Sequence, residues 1–402
     1  MQNTDNLDAI TGISRQSYFD LFLRFLRFGF LAWGGPVAQI AMIRRELVDE
    51  EKWITPERFN RVLAIYQVLP GPEAHELCVY FGMIARGRIG AFLAGLGFMA
   101  PGFALMFALS WFYVSYGISS PIFQSVFLGM QPAVAALIVR AVQRIGGHAL
   151  HQNTWLWGIA FFTACAQLLG INFLITLLTA GVMYALVVRG QTRLALTLGI
   201  VSALSILYLT SGLTASPVTV EAAHTTTAAP TLLRLFFSGL RAGLLTFGGA
   251  YTAIPFIQND AVFTGGWMTN AQFLDGLALS GLLPAPLIIF STFVGYLGGG
   301  PLGAIVLTVG IFSPSFLFTI IGHDFLERLV ENQSAHAFLD GVTAGVVGLI
   351  AATALGILSE TIVGLNAWII FSLALLILLF SKSKWTTAWI VLAAGLVGLL
   401  FL

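Results

Sequence analysis

The sequence predicts an all-α polytopic membrane protein made of two homologous repeats of inverted topology, each carrying broken or re-entrant helical hairpins. Three observations predict it. Of 402 residues, 57% are hydrophobic and 9% charged, with a mean hydropathy of +0.89, the composition of a chain that crosses lipid repeatedly. Residues 21–72 align without a gap to 235–286, each with the residue 214 positions further on (235 − 21). Loop cations crowd the first copy and are missing from the second.

The N-terminal stretch MQNTDNLDAITGISRQSYFD is polar, carries one basic residue and lacks the basic–apolar–small order of a cleaved signal. Residues 1–17 are therefore expected to form a cytoplasmic tail. The first repeat follows over 18–211, and the Ser/Thr/Ala/Pro-rich stretch around 212–230 reads as a linker to the second repeat, 231–402. Matched positions include Arg27/Arg241, Gly29/Gly243, Gly34-Gly35/Gly248-Gly249, Trp53/Trp267, Thr55/Thr269, Pro70/Pro284 and Pro72/Pro286. After a one-residue slip the register continues through Gly90/Gly303, Gly97/Gly310 and Pro101/Pro314. Apolar composition alone would not keep Gly, Pro and Trp in step, so the match is a duplication.

Arg44, Arg45, Lys52, Arg58 and Arg61 correspond to Gln258, Asn259, Gly266, Gln272 and Asp275. Short cytoplasmic loops keep Lys and Arg while outer loops shed them, so the copies are expected to face opposite ways. Inversion requires an odd number of crossings before the second copy. Clear spans lie near 89–116, 121–144, 153–169, 171–188 and 193–211. Segments 18–48 and 57–85 then both turn back or both cross. Turning back keeps the cations of 44–61 inside. The second copy adds spans near 301–322, 335–358, 363–380 and 385–402, with Arg328, Lys382 and Lys384 inside. The count is about nine crossings plus four hairpins, or about 13 if every broken segment spans.

The breaks are Gly34-Gly35-Pro36, Pro70-Gly71-Pro72, Gly248-Gly249 and Pro284-Ala285-Pro286. At membrane depth a broken helix is tolerated only where protein or a wet cavity covers its backbone. A half-helix starting there aims unpaired N–H groups at the midplane, which favours an anion. Arg27 and Arg241 are the cations retained in both copies, each about two turns before a double glycine. Their forks suit a tetrahedral oxyanion, and snorkelling to the membrane surface is the alternative. Glu73, His75 and Glu76 have no charged counterparts. Glu73 either caps its half-helix or, with Glu76, carries a proton in exchange for anion movement; His75 is a relay or a hydrogen-bonded structural group. Gln39, Gln67, Gln131 and Ser280 line a path or bridge helices. Trp53 and Trp267, each followed by Thr-x-x-x-Phe starting two residues on, read as interfacial anchors, and Asp324, Glu327, Arg328 and Glu331 as a solvated inner loop.

Other classes find little support. A net charge of +1 from 19 basic and 18 acidic residues points to no nucleic-acid partner. Cys78 and Cys165 form no metal-ligand spacing, and none of the three lysines closes a P-loop. No catalytic constellation of an intramembrane protease is present, and no cofactor is implied. An anion channel with the same inverted repeats would look alike in sequence, and a homodimer stays open.

The segments FLAWGGPVAQIAMIRRELVDEEKWITPERF, QVLPGPEAHEL and LLTFGGAYTAIPFIQNDAVFTGGWMTNAQFLDGLALSGLLPAPLIIFSTFVGYLGG resemble the paired signatures of the chromate ion transporter family in its long, two-domain form. The resemblance covers nearly the whole chain. It implies a bacterial inner-membrane transporter that expels chromate, driven by the proton-motive force, with sulfate as competitor. Carried over by position, the signature residues are Gly34, Gly35, Pro36, Gln39, Pro70, Gly71, Pro72, Glu73, Gly248, Gly249, Pro284 and Pro286. His75 stands where the family often has Gln, and Ala285 replaces the middle glycine of the last break.

Overall fold

The computed structural model describes residues 17–117, 120–150, 153–213, 229–322, 333–381 and 383–401, and every element among them is helical. The tail before residue 17, residues 214–228 of the linker, the loop with Asp324, Glu327, Arg328 and Glu331, and Lys382 lie outside the described residues.

The first copy opens with α1 (Tyr18–Phe30), α2 (Gly35–Arg44), α3 (Pro56–Val68) and α4 (Glu73–Phe112). Ser17 caps α1 by accepting the Asp20 N–H at 3.0 Å, and Thr55 caps α3 by accepting the Arg58 N–H at 3.2 Å. α3 stops because Pro70 holds Leu69 extended (φ −84°, ψ 154°). α2 runs on into a π-helical turn, Arg45–Glu50. The second copy repeats the plan with α9 (Leu232–Leu244), α10 (Ile254–Gln258) and its π-helical turn Asn259–Thr264, α11 (Asn270–Gly281) and α12 (Phe290–Ile321). Thr231 and Thr269 take the cap positions of Ser17 and Thr55. Between the copies lie α5 (Pro121–Ala149), α6 (Thr154–Leu168), α7 (Phe173–Val188) and α8 (Thr192–Leu213); after α12 come α13 (Gln333–Thr361), α14 (Leu365–Phe380) and α15 (Thr386–Phe401).

The duplication extends to torsion angles. α4 folds back at Arg86 (φ −145°, ψ 27°) and Gly87 (φ 62°, ψ −155°), and α12 does so at Gly299 (φ −151°, ψ 24°) and Gly300 (φ 61°, ψ −151°), 213 residues on (299 − 86). Positive φ at the second residue of each pair requires glycine. Packing repeats too. Gly29 lets α1 close on the Phe98 carbonyl and the Pro101 ring of α4, and Gly243 lets α9 close on the Ile311 carbonyl and the Pro314 ring of α12. Close approach through small residues is how helices gain contact where lipid supplies no hydrophobic drive.

Two compact units result. One gathers α1–α4, α5 up to Leu137, α9–α12 and α14–α15. In it α1 packs on α4, α9 on α12, and α4 on α12. The other gathers α5 from Ile138, α6–α8 and α13. There Thr163 donates to the Gly345 carbonyl at 3.0 Å, and Gly341 and Gly348 bring α13 against the Ala180 and Ala160 carbonyls.

Helices α4, α5, α12 and α13 are long and apolar enough to cross a membrane. The spans expected near 153–169, 171–188, 363–380 and 385–402 are found as helices of 15 or 16 residues, about 22–24 Å long against a hydrocarbon core of about 30 Å. Trp53 departs from its expected interfacial place: it is 1% exposed, 6.1 Å from Phe81 and under the Arg24 guanidinium at 5.5 Å. Its Nε1–H donates to Glu51 at 2.8 Å. The π-helical turn before it folds the indole into the hairpin instead of outward.

Candidate oxyanion site at the helix breaks

The four breaks meet in two pairs, each joining a break of one copy to a break of the other. In the first pair the Gly71 N–H donates to the Thr246 carbonyl at 2.8 Å, tying Pro70-Gly71-Pro72 to the turn that leads into Gly248-Gly249. Residues 70–76 are all buried there. Glu76 and Ser315 face Gly71 from two sides: a β-carbon on Gly71 would lie 2.5 Å from Glu76 Oε1 and 2.8 Å from Ser315 Oγ. Glu76 is wholly enclosed, and among the described residues neither its oxygens nor the Ser315 hydroxyl finds a hydrogen-bond partner. His75, equally enclosed, stands edge-on to Phe312 and Phe316, both at 4.9 Å. Glu73 begins α4 itself.

The second pair sets Trp33-Gly34-Gly35-Pro36 opposite the stretch from Ser280 to Leu287, which holds Pro284-Ala285-Pro286. It is open: a small cleft of about 40 Å³ lies between the two, lined also by Tyr251, Lys384, Thr387 and Ala388. α2 starts at this cleft with no side-chain cap, so its first N–H groups point at it. Gln39, buried, donates through Nε2 to the Ala32 carbonyl at 2.9 Å and so braces the break from behind.

Contacts of the two pairs mirror one another. Gly71 faces Glu76 and Ser315; its counterpart Ala285 and the nearby Ile289 face Gly102, the counterpart of Ser315 (102 + 213). Ile289 thus occupies the place of Glu76, so the one-residue slip falls just after the second break, where a short 3₁₀ turn, Leu287–Ile289, replaces the first turn of α4.

The arginines are placed differently from the breaks. Arg27 is ion-paired with Glu46 and Arg241 with Asp260, at equivalent positions (46 + 214 = 260). Ser238 also donates to Asp260 at 2.7 Å. Each pair clamps a π-helical turn onto α1 or α9. Two other polar candidates, the half-buried Gln131 and the buried Ser280, bridge segments: Gln131 donates to Asp275 at 3.1 Å, and Ser280 donates to the Leu287 carbonyl at 3.0 Å. Asp275 also accepts from Tyr113 at 2.7 Å. Gln67 is exposed.

Sequence reasoning overlooked Glu46, Asp260 and Ser315, and it read Lys384 only as an inner-side cation. The first two were within reach, since a carboxylate retained at both copies is as visible in the alignment as the arginine it binds. Nothing local marks the other two.

A family model for chromate transporters matches residues 19–186 and 233–399, taking in all four breaks. The chain belongs to the chromate transporter family. It is accordingly a multi-pass membrane transporter and not an enzyme. A chromate transport protein of Pseudomonas aeruginosa is 56% identical over 95% of this chain and 92% of its own length. One from Cupriavidus metallidurans is 30% identical over 94% and 92%. An uncharacterized transporter of Bacillus subtilis aligns with only 36% of this chain, 145 residues at 32% identity, yet that is 73% of its own length, so a single repeat is close to the scale of a whole relative. No solved structure matches the chain.

Proposed function

We propose that this chromate transporter family member is a secondary active transporter that exports chromate across the bacterial inner membrane in exchange for protons, its two repeats standing in opposite orientations. The observation that carries the reading is the pairing of helix breaks across the copies. Breaks that face each other gather half-helix starts and their dipoles in one region, and a tetrahedral dianion is the ligand such a region favours. Gly34, Gly35 and the proline-flanked Ala285 line the open pair, and Gly71, Gly248 and Gly249 belong to the closed one. The names of the similar proteins support chromate as cargo.

The exchange of contacts between copies is what a two-fold relation produces, and the cations confined to the loops of the first copy favour an axis in the membrane plane. About nine crossings with four hairpins is the count this reading takes, the helices of 15 and 16 residues crossing a thinned bilayer. For Arg27 or Arg241 to touch the cargo, the oxyanion has to displace Glu46 or Asp260, one anion replacing another.

The proton side falls to Glu73, His75 and Glu76. They lie at the closed break, in a helix long enough to cross the membrane, and Glu76 is matched in the other copy by Ile289, which cannot titrate. Inside-out membrane vesicles test the whole. Energised vesicles should accumulate chromate, lose the gradient on addition of a protonophore, and show flattened pH dependence in Glu76→Gln. Accumulation that survives collapse of the proton gradient sinks the coupling, and accumulation of sulfate with no chromate uptake reassigns the cargo.

A further inference from the structure

The Gly71-to-Thr246 bond has a twin address. Counting 214 on from Gly71 gives Ala285, and 214 back from Thr246 gives Ala32. That bond is not made. The Ala285 N–H donates to the Leu283 carbonyl at 2.9 Å, and the Ala32 carbonyl is taken by Gln39. One break pair is thus tied shut while its twin stands open as the cleft, and only the open one is ready to take a ligand.

The loop between α14 and α15 lies at that opening. Trp385 packs on Trp33 with ring centroids 4.3 Å apart, holding the loop to the first break. Lys384 follows so closely that a β-carbon on Gly34 would meet its Cα at 3.0 Å. Of the lining residues Lys384 alone carries a formal charge, and no carboxylate lies among them to neutralise it. Its side chain is exposed, with Nζ 5.8 Å from the Trp385 ring. Thr387 adds a hydroxyl to the same walls, where the Ser280 hydroxyl is already spent on the Leu287 carbonyl. A cation, a hydroxyl and the uncapped start of a half-helix make a receiving surface for a small anion. The first copy has no lysine at that place in the chain: residues 171 and 172, 213 and 212 before Lys384, are Ile171 and Asn172.

We propose that Lys384 is the cationic ligand that receives the tetrahedral oxyanion in the open cleft, a binding residue for the cargo beyond the glycines and prolines of the breaks. The inference rests on the transport reading above. It gives the loop a role that the charge-orientation rule alone would not: Lys384 places a compact, strongly hydrated positive charge at the mouth, where it gathers dianions without holding them so tightly that they fail to move on.

The test is a titration of the detergent-purified full chain with potassium chromate, read as quenching of tryptophan emission. Trp33 and Trp385 flank the cleft, and chromate absorbs where tryptophan emits. Lys384→Met keeps the stem and removes the charge. It should weaken chromate binding roughly 10- to 100-fold, the worth of one charge-assisted contact, with Lys384→Arg staying within a few-fold of the parent. If Lys384→Met does not fold, Lys384→Gln serves as the same loss of charge. A neutral variant with native elution and emission that binds chromate as tightly as the parent overturns the inference. The two readings fail separately. Parent protein that carries chromate in vesicles while the neutral variant binds normally removes Lys384 alone; parent protein that binds chromate through Lys384 yet moves none removes the transport reading alone.

Discussion

Gly71→Ala is the most informative single change, because the other copy already carries alanine at the equivalent position. At Gly71 the backbone has φ +154°, and a β-carbon would stand 2.5 Å from Glu76 Oε1 and 2.8 Å from Ser315 Oγ. Ala285, in contrast, is not among the described residues with positive φ. Two costs add at Gly71: about 1–3 kcal/mol for an L-residue in a region that glycine owns, and about 1–3 kcal/mol for overpacking against the enclosed Glu76 carboxyl and Ser315 hydroxyl. The sum is about 2–6 kcal/mol. It falls where the Gly71 N–H holds the two copies together, so transport should drop along with stability. Ala285→Gly, the reciprocal change, removes one methyl from a site that is 8% exposed and should cost about 1 kcal/mol or less. Thermal unfolding in detergent micelles, followed by tryptophan emission, compares the two directly. A Gly71→Ala protein that melts with the parent, or an Ala285→Gly protein equally damaged, refutes the claim that the twin breaks differ in backbone and in packing.

Two further predictions use the same comparison of copies. Lys52 is the one non-glycine among the described residues at positive φ (55°), and its counterpart is Gly266 at φ 63°; Lys52→Gly should relieve about 1–2 kcal/mol of backbone strain, less the extra freedom of the unfolded chain, for a net gain of about 1 kcal/mol, and an unfolding midpoint that does not rise rejects the strain. Asp260 is 6% exposed and bound by both Arg241 and Ser238, while Glu46 is 17% exposed, paired with Arg27, which is 58% exposed, and more distantly with Arg24 at 4.0 Å. Asp260→Asn should therefore cost about 2–3 kcal/mol and Glu46→Gln less than about 1 kcal/mol, and denaturation curves showing the reverse order would mean that burial does not govern these twin ion pairs.

Glu76 shows how an asymmetry between near-identical copies becomes chemistry. The backbones repeat to within a few degrees at the folds of α4 and α12, yet one copy buries a carboxyl opposite Ser315 and the other an isoleucine opposite Gly102. A duplicated scaffold supplies the two break pairs. Departures from the duplication make one of them acidic and closed, the other basic at its rim and open.

Much of this was legible in one dimension. The membrane class and the four breaks follow from effects that act within a few residues: hydropathy per turn, a proline without an N–H, a glycine free of Cβ clashes. The duplication shows in the alignment of such residues. Which break faces which, that Arg27 and Arg241 are held by Glu46 and Asp260, that Glu76 answers to Ile289, and that Lys384 stands over Gly34 were decided by packing. Lys384 and Gly34 are 350 residues apart (384 − 34); no local preference links them, and they meet only because the loop before α15 is pressed on the first break by the Trp33–Trp385 contact, a choice made by how whole helices fit together.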